Sequence, residues 1–192
     1  LRATPLTTRF NVSCFGCLGY ELDLKYLSRV EKREIKQQIA FYKEHRRTFQ
    51  YGQFSRLPAQ RANKVHWQCA DRDGGKVISG FFQTQAGASE GYDFLPVAGL
   101  DTGARYRMKT RPQSLFVKRF GGLVKHILPV ELDPEGFIMR TVNKYYSLTD
   151  CVEEYEGYGD MFMAGVRLNT QFVGSYYNEQ TRLLGDYGSN LY

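Results

Sequence analysis

One long amphipathic segment constrains the fold of this sequence more than any other feature. Ser28 and Glu31 have the spacing of a capping box, which marks the start of a helix. Downstream, apolar side chains recur at helical spacing on one face: Ile35, Ile39, Tyr42 and Phe49. Basic side chains form a second stripe: Arg29, Arg33, Lys36, Lys43 and Arg47. The pattern predicts a helix over residues 28–49 that ends before Gly52.

The pattern changes from helical to alternating after Gly52. Alternation over Lys64–Ala70, the turn-forming residues 71–75 (DRDGG) and a second apolar run over 76–84 predict a β-hairpin. Shorter runs predict further strands at 104–109, 114–119, 137–142, 145–148, 161–168 and 182–184. Ahead of the helix, residues 10–24 read as a strand followed by a loop. We therefore expect a division into residues 1–52 and an all-β segment, residues 53–192.

Length and charge exclude several classes of protein. The 192 residues are too few for a complete (β/α)8 barrel, which needs roughly 250. The net charge of +6 is concentrated in the helix, where seven basic and three acidic residues lie between positions 29 and 47. Such a helix could contact nucleic acid, but the interleaved acids and the apolar face favour an amphipathic surface helix. Apolar runs reach only four or five residues, far below the roughly 20 of a membrane span, so we expect neither nucleic-acid nor membrane partners.

The four cysteines indicate neither a disulfide scaffold nor a metal site. Cys14 and Cys17 form a lone C-x-x-C pair, whereas a zinc site needs a second pair of ligands. The remaining candidate ligands are isolated: Cys69, Cys151, His45, His66 and His126. Reduced thiols in or near a core are the better interpretation, and they predict a cytoplasmic location and no cofactor.

No catalytic constellation emerges from the residues themselves. His66 and Cys69 are close in sequence, but Trp67 and Cys69 alternate onto one face of a strand predicted to be buried. Tyrosines crowd the last 50 residues, which indicates an interface between subunits or domains, with sugar stacking as the alternative. We therefore expect a homo-oligomer and assign no catalytic, substrate-binding or metal residue.

Several strings resemble α-galactosidases of glycoside hydrolase family 36. Three of them resemble the end of the catalytic barrel: residues 19–24 (GYELDL), 34–43 (EIKQQIAFYK) and 50–57 (QYGQFSRL). The tail resembles the end of the same enzymes at residues 158–160, 163–165, 171–172, 177–179, 182 and 184–189. The chain departs from the family just before residue 19, where CFGCL replaces a stretch that often holds a small residue, Gly and Asn.

The resemblance implies an architecture. Members of the family have a large N-terminal β domain, a (β/α)8 barrel and a small antiparallel β-sandwich that closes the chain. Residues 10–24 would then be the last barrel strand with its loop, the helix from Ser28 the last barrel helix, and residues 53–192 the sandwich. The expected fold is mostly β: an antiparallel β-sandwich preceded by one strand and one long helix.

The resemblance also implies a chemistry that this segment does not carry. The family is similar to other retaining glycosidases in using two aspartates about 5–5.5 Å apart, and both lie on earlier barrel strands. We expect the C-terminal segment of an enzyme that releases terminal α-galactose from melibiose- or raffinose-type oligosaccharides. Its partners would be the upstream barrel of the same protein and, through the parent enzyme, the sugar. A free-standing carbohydrate-binding or structural β module is the alternative.

The first 50 residues pose a physical problem in such a segment. The chain begins at Leu1 rather than Met, and we expect it to have been cut from a longer protein. Without the rest of a barrel, the apolar face of the helix needs another cover, because each large side chain left exposed forgoes about 1.5–3 kcal/mol. Residues 1–50 should therefore pack onto the β segment, associate between chains, or be mobile.

Overall fold

A computed structural model of the chain describes residues 4–87, 91–115, 136–149, 152–168 and 185–192. The helices are α1 (Leu6–Ser13), α2 (Arg29–Tyr51), α3 (Phe137–Tyr145) and α4 (Gly159–Ala164), with a 3-10 turn at Leu24–Tyr26. The longer strands are β1 (Gln53–Leu57), β2 (Lys64–Ala70), β3 (Val77–Gln83), β5 (Arg105–Lys109) and β8 (Glu154–Tyr158). The shorter strands are β4 (Phe94–Leu95), β6 (Ser114–Leu115), β7 (Leu148–Thr149), β9 (Val166–Arg167) and β10 (Ser189–Leu191). No helix within these ranges is both long and apolar enough to cross a membrane.

The long helix confirms the prediction made from its capping box. The Ser28 side chain accepts a hydrogen bond from the Glu31 amide at 3.2 Å, and Glu31 Oε2 accepts one from the Ser28 amide at 2.7 Å. Ile35 and Phe49 of the predicted apolar face are buried, whereas Ile39 is 37% exposed. The basic stripe faces solvent.

Antiparallel strands are the main regular structure among the described residues after Gly52, as expected. The central sheet has the order β1-β2-β3-β10, and three two-stranded ladders pair β4 with β9, β5 with β8 and β6 with β7. The β2–β3 hairpin is confirmed, with Trp67 opposite Gly80. Its turn is closed by an Asp71 amide to Lys76 carbonyl hydrogen bond of 2.8 Å, and Gly74 adopts a φ of +71° that favours glycine.

The predicted strand over residues 10–24 is wrong at its start. Residues through Ser13 belong to α1, and Leu6, Phe10 and the C-cap residue Cys14 recur every four residues and are buried. A short run with few apolar residues fits both the period of a strand and that of a helix, so the alternation could not distinguish the two structures. A barrel strand is paired on both sides. This segment instead satisfies its backbone within a helix, which requires no neighbouring strand.

Two later predictions also need correction. Residues 137–142 lie in helix α3 rather than a strand, since Ile138, Val142 and Tyr145 also have helical spacing. Residues 161–164 belong to α4, which ends at Gly165 with a φ of +105°, so that only Val166–Arg167 of the predicted 161–168 strand is extended. The predicted strand at 182–184 and most of that at 114–119 lie outside the described residues.

The central sheet is covered on both faces. On one face, Cys69, Ile78 and Leu191 pack against Phe10 and Cys14 of the α1 segment and Phe49 of α2. On the other face, Phe81 packs with Leu95, Leu168 and Tyr192. The first 50 residues therefore pack onto the β segment, which is the first of the three arrangements expected for them. The helices take the place of a second layer and bury one face of the sheet.

Candidate functional site

Among the residues that the structure describes, three carboxylates are buried, and each is held by partner side chains. Glu34 is bound by Arg111, Asp93 is paired with Lys64 at 3.6 Å, and Glu153 accepts hydrogen bonds from the Tyr155 and Tyr192 hydroxyls at 3.2 and 3.0 Å. Within the described residues, no group of three or more His, Cys, Asp and Glu side chains could hold a metal ion. These carboxylates are bound as structural groups.

A cleft of about 430 Å³ opens between α1 and the loop that follows it. Its walls mix hydroxyl, charged and apolar side chains. They come from Thr4, Leu6, Thr8, Arg9, Phe10, Val12 and Ser13 on one side and from residues 18–22 (LGYEL) on the other. Residues 19–22 are part of the string that resembles the end of the barrel. The cleft is therefore bounded by one of the strings that carry the family resemblance.

Tyr20 connects this cleft to the interior. It lines the cleft, and its hydroxyl donates a hydrogen bond of 2.7 Å to Gln38 Oε1 on α2. Burial raises the pKa of Tyr20, the neighbouring Cys14 and Glu34 add to the rise, and Arg111 opposes it. The phenol therefore remains protonated and acts as the donor to Gln38.

Behind Gln38 lies a buried ion pair between α2 and the segment after β5. Arg111 Nη2 lies 3.4 Å from Glu34 Oε1, and the exposed fractions of the two side chains are 3% and 0%. Glu34 Oε1 also accepts a hydrogen bond from Gln38 Nε2 at 3.0 Å, and Glu34 Oε2 accepts one from the Ser114 amide at 3.0 Å. Burial lowers the pKa of Arg111 and the Glu34 carboxylate opposes that change. Each charge compensates the desolvation of the other.

Aromatic rings complete the surroundings of Arg111. Its guanidinium carbon lies 4.9 Å from the centroid of Phe10 and 5.8 Å from that of Phe41, within the range of cation–π attraction. These rings come from α1 and α2 respectively. One residue of the β segment is thus held by both helices of the first 52 residues.

The polar network continues to the last strand. Arg111 Nη2 donates to Gln113 Oε1 at 3.3 Å, and Gln113 Nε2 donates to the Ser189 carbonyl at 2.9 Å. Asn11 Nδ2 of α1 donates to Ser189 Oγ at 2.9 Å, and Ser189 Oγ donates to Thr8 Oγ1 at 2.9 Å. The network therefore joins α1, α2, the segment before β6 and β10. No sequence pattern predicted this network, because its members are scattered along the chain.

The C-x-x-C segment places one aromatic ring at the centre of a second junction. The Phe15 ring makes edge contacts with Phe49, Phe54, Trp67 and Phe82 at centroid distances of 5.4 to 6.2 Å. A Cβ on Gly80 would come within 2.7 Å of Phe15 Cε2, so the ring occupies space that only glycine leaves open. The departure from the family pattern before residue 19 is therefore built into the interface between helices and sheet.

The flanking cysteines have different environments. Cys14 is fully buried and Cys17 is exposed, and with Cys69 all three are free thiols. Burial raises the pKa of Cys14 to about 12, against the opposing influence of Arg111, and raises that of Cys69 to about 11. Cys14 and Cys69 lie in the core, as expected for the buried cysteines. Cys151 and His126 lie outside the described residues.

The two described histidines are also separate from one another. His66 is buried in β2 with Nε2 3.4 Å from Ser79 Oγ, and burial lowers its pKa to about 4. His45 is half-buried on α2, where burial and Lys76 lower its pKa. His66 and Cys69, three residues apart, point to opposite faces of the sheet, as the alternation of β2 requires.

Comparison with known proteins identifies both parts of the chain. Residues 64–192 match the glycosyl hydrolase family 36 C-terminal domain, and residues 1–52 match the Melibiase family. The α-galactosidase AgaA of Geobacillus stearothermophilus is 36% identical over 109 residues, which cover 56% of this chain and 15% of that protein. The α-galactosidase Mel36A of Lactobacillus acidophilus is 34% identical over 106 residues, covering 55% of this chain and 14% of the relative.

Solved structures give the same result over a longer stretch. A variant of AgaA from Geobacillus stearothermophilus, crystallised in complex with raffinose, superposes with a TM-score of 0.63 and 25% identity. The match covers 98% of this chain and 19% of the AgaA chain, so the segment spans about a fifth of its structural relative. The match to the C-terminal domain family takes in about two thirds of the residues. The chain belongs to the glycosyl hydrolase family 36 C-terminal domain family.

Proposed function

We propose that this chain is the C-terminal segment of an α-galactosidase that releases terminal α-galactosyl residues from melibiose- and raffinose-type oligosaccharides with retention. The observation that carries the proposal is the superposition of 98% of the chain on an α-galactosidase crystallised with raffinose. In this proposal the segment supports the catalytic barrel and supplies no catalytic residue. The two aspartates of the reaction belong to the upstream part of the same protein.

The proposed domain division follows the two family matches. Residues 1–52 would be the end of the catalytic barrel and residues 53–192 the C-terminal antiparallel β-sandwich. The buried contacts of Arg111 with Glu34, Phe10 and Phe41 support a fixed relationship between these parts. A desolvated ion pair and two packed rings favour a permanent interface between the domains over a flexible linker between independent modules.

The proposal extends to subunit contacts and location. Large aromatic side chains are exposed on the segment, among them Tyr26, Phe137 and Tyr146 at 87%, 85% and 68%. Such side chains support a homo-oligomeric parent enzyme, because aromatic residues are enriched at interfaces. The free thiols of Cys14, Cys17 and Cys69 support a reducing, cytoplasmic location.

The test compares the segment with its parent enzyme. The parent gene should encode an upstream barrel, and its product should hydrolyse an aryl α-galactoside. The isolated 192-residue chain should show no turnover, because it lacks both catalytic aspartates. Absence of an upstream barrel would overturn the proposal, and so would turnover by the pure chain that a single substitution within it abolishes.

The alternative of a free-standing carbohydrate-binding module is distinguished by titration. A sugar-binding platform needs an open aromatic face, but the Trp67 ring is packed by Phe15 and Phe82 and approached by the Arg56 guanidinium at 5.8 Å. We therefore expect no binding of raffinose at Trp67 when the sugar is titrated into the chain. Saturable binding that is lost on Trp67→Ala would favour the module.

A further inference from the structure

We infer that Arg111 is a positioning residue for the wall of the cleft that contains Tyr20, acting through Glu34 and Gln38. The C-terminal strands would thereby set the conformation of residues 18–22, although they do not line the cleft. The inference rests on the proposed function only in assigning this role to the parent enzyme. The structural relay itself is a property of the 192-residue chain.

The relay is continuous, and all of its members except the partly buried Tyr20 are shielded from solvent. It runs from Tyr20 to Gln38 at 2.7 Å, from Gln38 to Glu34 at 3.0 Å and from Glu34 to Arg111 at 3.4 Å. Glu34 and Gln38 are both 0% exposed. They are four residues apart on α2 and therefore lie on the same face of the helix. In such a dry environment, polar side chains that lose a partner cannot turn to water instead.

The chemistry of the Gln38 amide makes the relay directional. Its Nε2 donates to the Glu34 carboxylate, which can only accept hydrogen bonds. That bond turns Oε1 toward Tyr20, where it is the acceptor for the phenol. The orientation of the amide, and with it the bond that holds Tyr20, therefore depends on the acceptor oxygens of the Glu34 carboxylate. Arg111 is the buried cation that pairs with this carboxylate and fixes its position.

Arg111 is in turn held from the side of the sheet. Its backbone amide donates to the Leu191 carbonyl at 2.8 Å, and its guanidinium donates to Gln113, which is bonded to Ser189 in β10. The position of β10 is thus transmitted to Arg111 and onward to the cleft. Residues 18–22 form no helix or strand, so their conformation depends strongly on the hydrogen bond that the Tyr20 hydroxyl makes.

Hydrogen exchange on the full 192-residue chain tests the relay. The variants are Arg111→Met and Tyr20→Phe, with Gln68→Met as the matched control. Gln68 is equally buried, and its amide makes two hydrogen bonds of 2.9 Å with the backbone of Ala98 on the opposite face of the sheet. Both Met variants remove a buried polar side chain, but only one of them breaks the relay.

We expect Arg111→Met to raise exchange of amides 18–24 about tenfold more than Gln68→Met does, since hydrogen bonds to charged groups are the strong ones. Tyr20→Phe should raise exchange at 18–24 alone and leave amides 105–115 unchanged. Arg111→Lys should restore part of the protection, because it keeps the positive charge. Equal exchange at 18–24 in Arg111→Met and Gln68→Met would overturn the inference.

A milder variant covers the case in which Arg111→Met does not fold. Glu34→Gln keeps the side-chain volume and replaces the carboxylate that orients Gln38, so it should also raise exchange at 18–24. Unchanged exchange there would overturn the inference. The readout requires no hydrolase activity, so an inactive parent enzyme would refute the proposed function and leave the relay standing.

Discussion

Glu34 and Arg111 lie 77 residues apart in the chain and form an ion pair from which solvent is almost completely excluded. Glu34 belongs to the long helix and Arg111 to the segment that follows β5. The pair joins the part of the chain that matches the Melibiase family to the part that matches the family 36 C-terminal domain. Its burial makes the two parts energetically dependent on each other.

The ion pair should show strong thermodynamic coupling. Removing one partner by Arg111→Met or Glu34→Met leaves a buried charge, and each change should lower the free energy of unfolding by about 3–5 kcal/mol. The double variant should be destabilised by much less than the sum, because neither charge then remains. Urea unfolding of all four proteins measures the cycle. Strictly additive losses would contradict a direct interaction.

Gly80→Ala should destabilise the interface between helices and sheet. The added methyl group would meet Phe15 and Phe82 at 2.7 Å, an overpacking that costs typically about 1–3 kcal/mol. Combining it with Phe15→Leu should recover part of the loss, since the ring would no longer occupy that space. Gly103→Ala is the matched control: its nearest neighbour is Asp101 Oδ1 at 3.7 Å, and thermal unfolding should move little. Equal effects at both glycines would refute the packing argument.

Stability should fall in acid because of His66. Burial lowers its pKa from 6.5 to about 4, so the fold favours the neutral ring while the unfolded chain takes up a proton from about pH 6.5 downward. The stabilisation is complete above pH 6.5 and is lost as the pH falls to 4, by roughly 3 kcal/mol at about 1.4 kcal/mol per pKa unit. Urea midpoints of the chain and of His66→Gln at pH 7, 5.5 and 4 measure it. The variant should lose less stability between pH 7 and pH 4 than the unmodified chain does. Urea midpoints that fall equally in both proteins would contradict the role of His66.

The thiols should react in two classes. Cys17 is exposed, whereas Cys14 and Cys69 are buried with pKa values raised to about 12 and about 11. The experiment uses a Cys151→Ser variant, which contains only these three thiols. At pH 8 only about one in a thousand or fewer of the buried thiols would be ionised, and the thiolate is the reactive form. A disulfide reagent should modify one thiol rapidly in the folded chain and three in urea. Rapid modification of three thiols without denaturant would show that the α1–sheet interface opens readily.

The long helix and the hairpin were predictable from sequence because their signals are local. Ser28 and Glu31 satisfy one another within a single helical turn, and β2 and β3 are joined by a turn whose residues favour it. The family was also predictable, since residues 19–24 and 34–43 retain its strings. The helix and the hairpin depend on neighbours within a few residues, and the family resemblance depends only on the amino-acid sequence.

Segments of ambiguous period were decided only by the tertiary structure. Residues 10–13 and 137–142 carry apolar side chains that fit a strand or a helix. The helix at 10–13 buries Phe10 against α2 and the sheet, and the helix at 137–142 lies alongside α2. Strand β10 consists of three residues, Ser189–Leu191, which are extended where they pair with the edge of β3. Pairing with a distant edge leaves no periodic trace in so short a run.

The buried polar network around Arg111 was the feature least predictable from the sequence. Glu34, Gln38 and Arg111 look like ordinary surface residues of a charged helix and a loop, and charged side chains are rarely buried unless they are paired. Their pairing depends on how α2 and the sheet meet, because Glu34 and Arg111 are 77 residues apart in the chain. The sequence by itself determined which local elements this chain could form and which family it resembles. Only the tertiary structure decided which polar groups are buried. Burying a charge is costly unless the charge is paired, so each buried charge depends on a partner that the fold brings next to it.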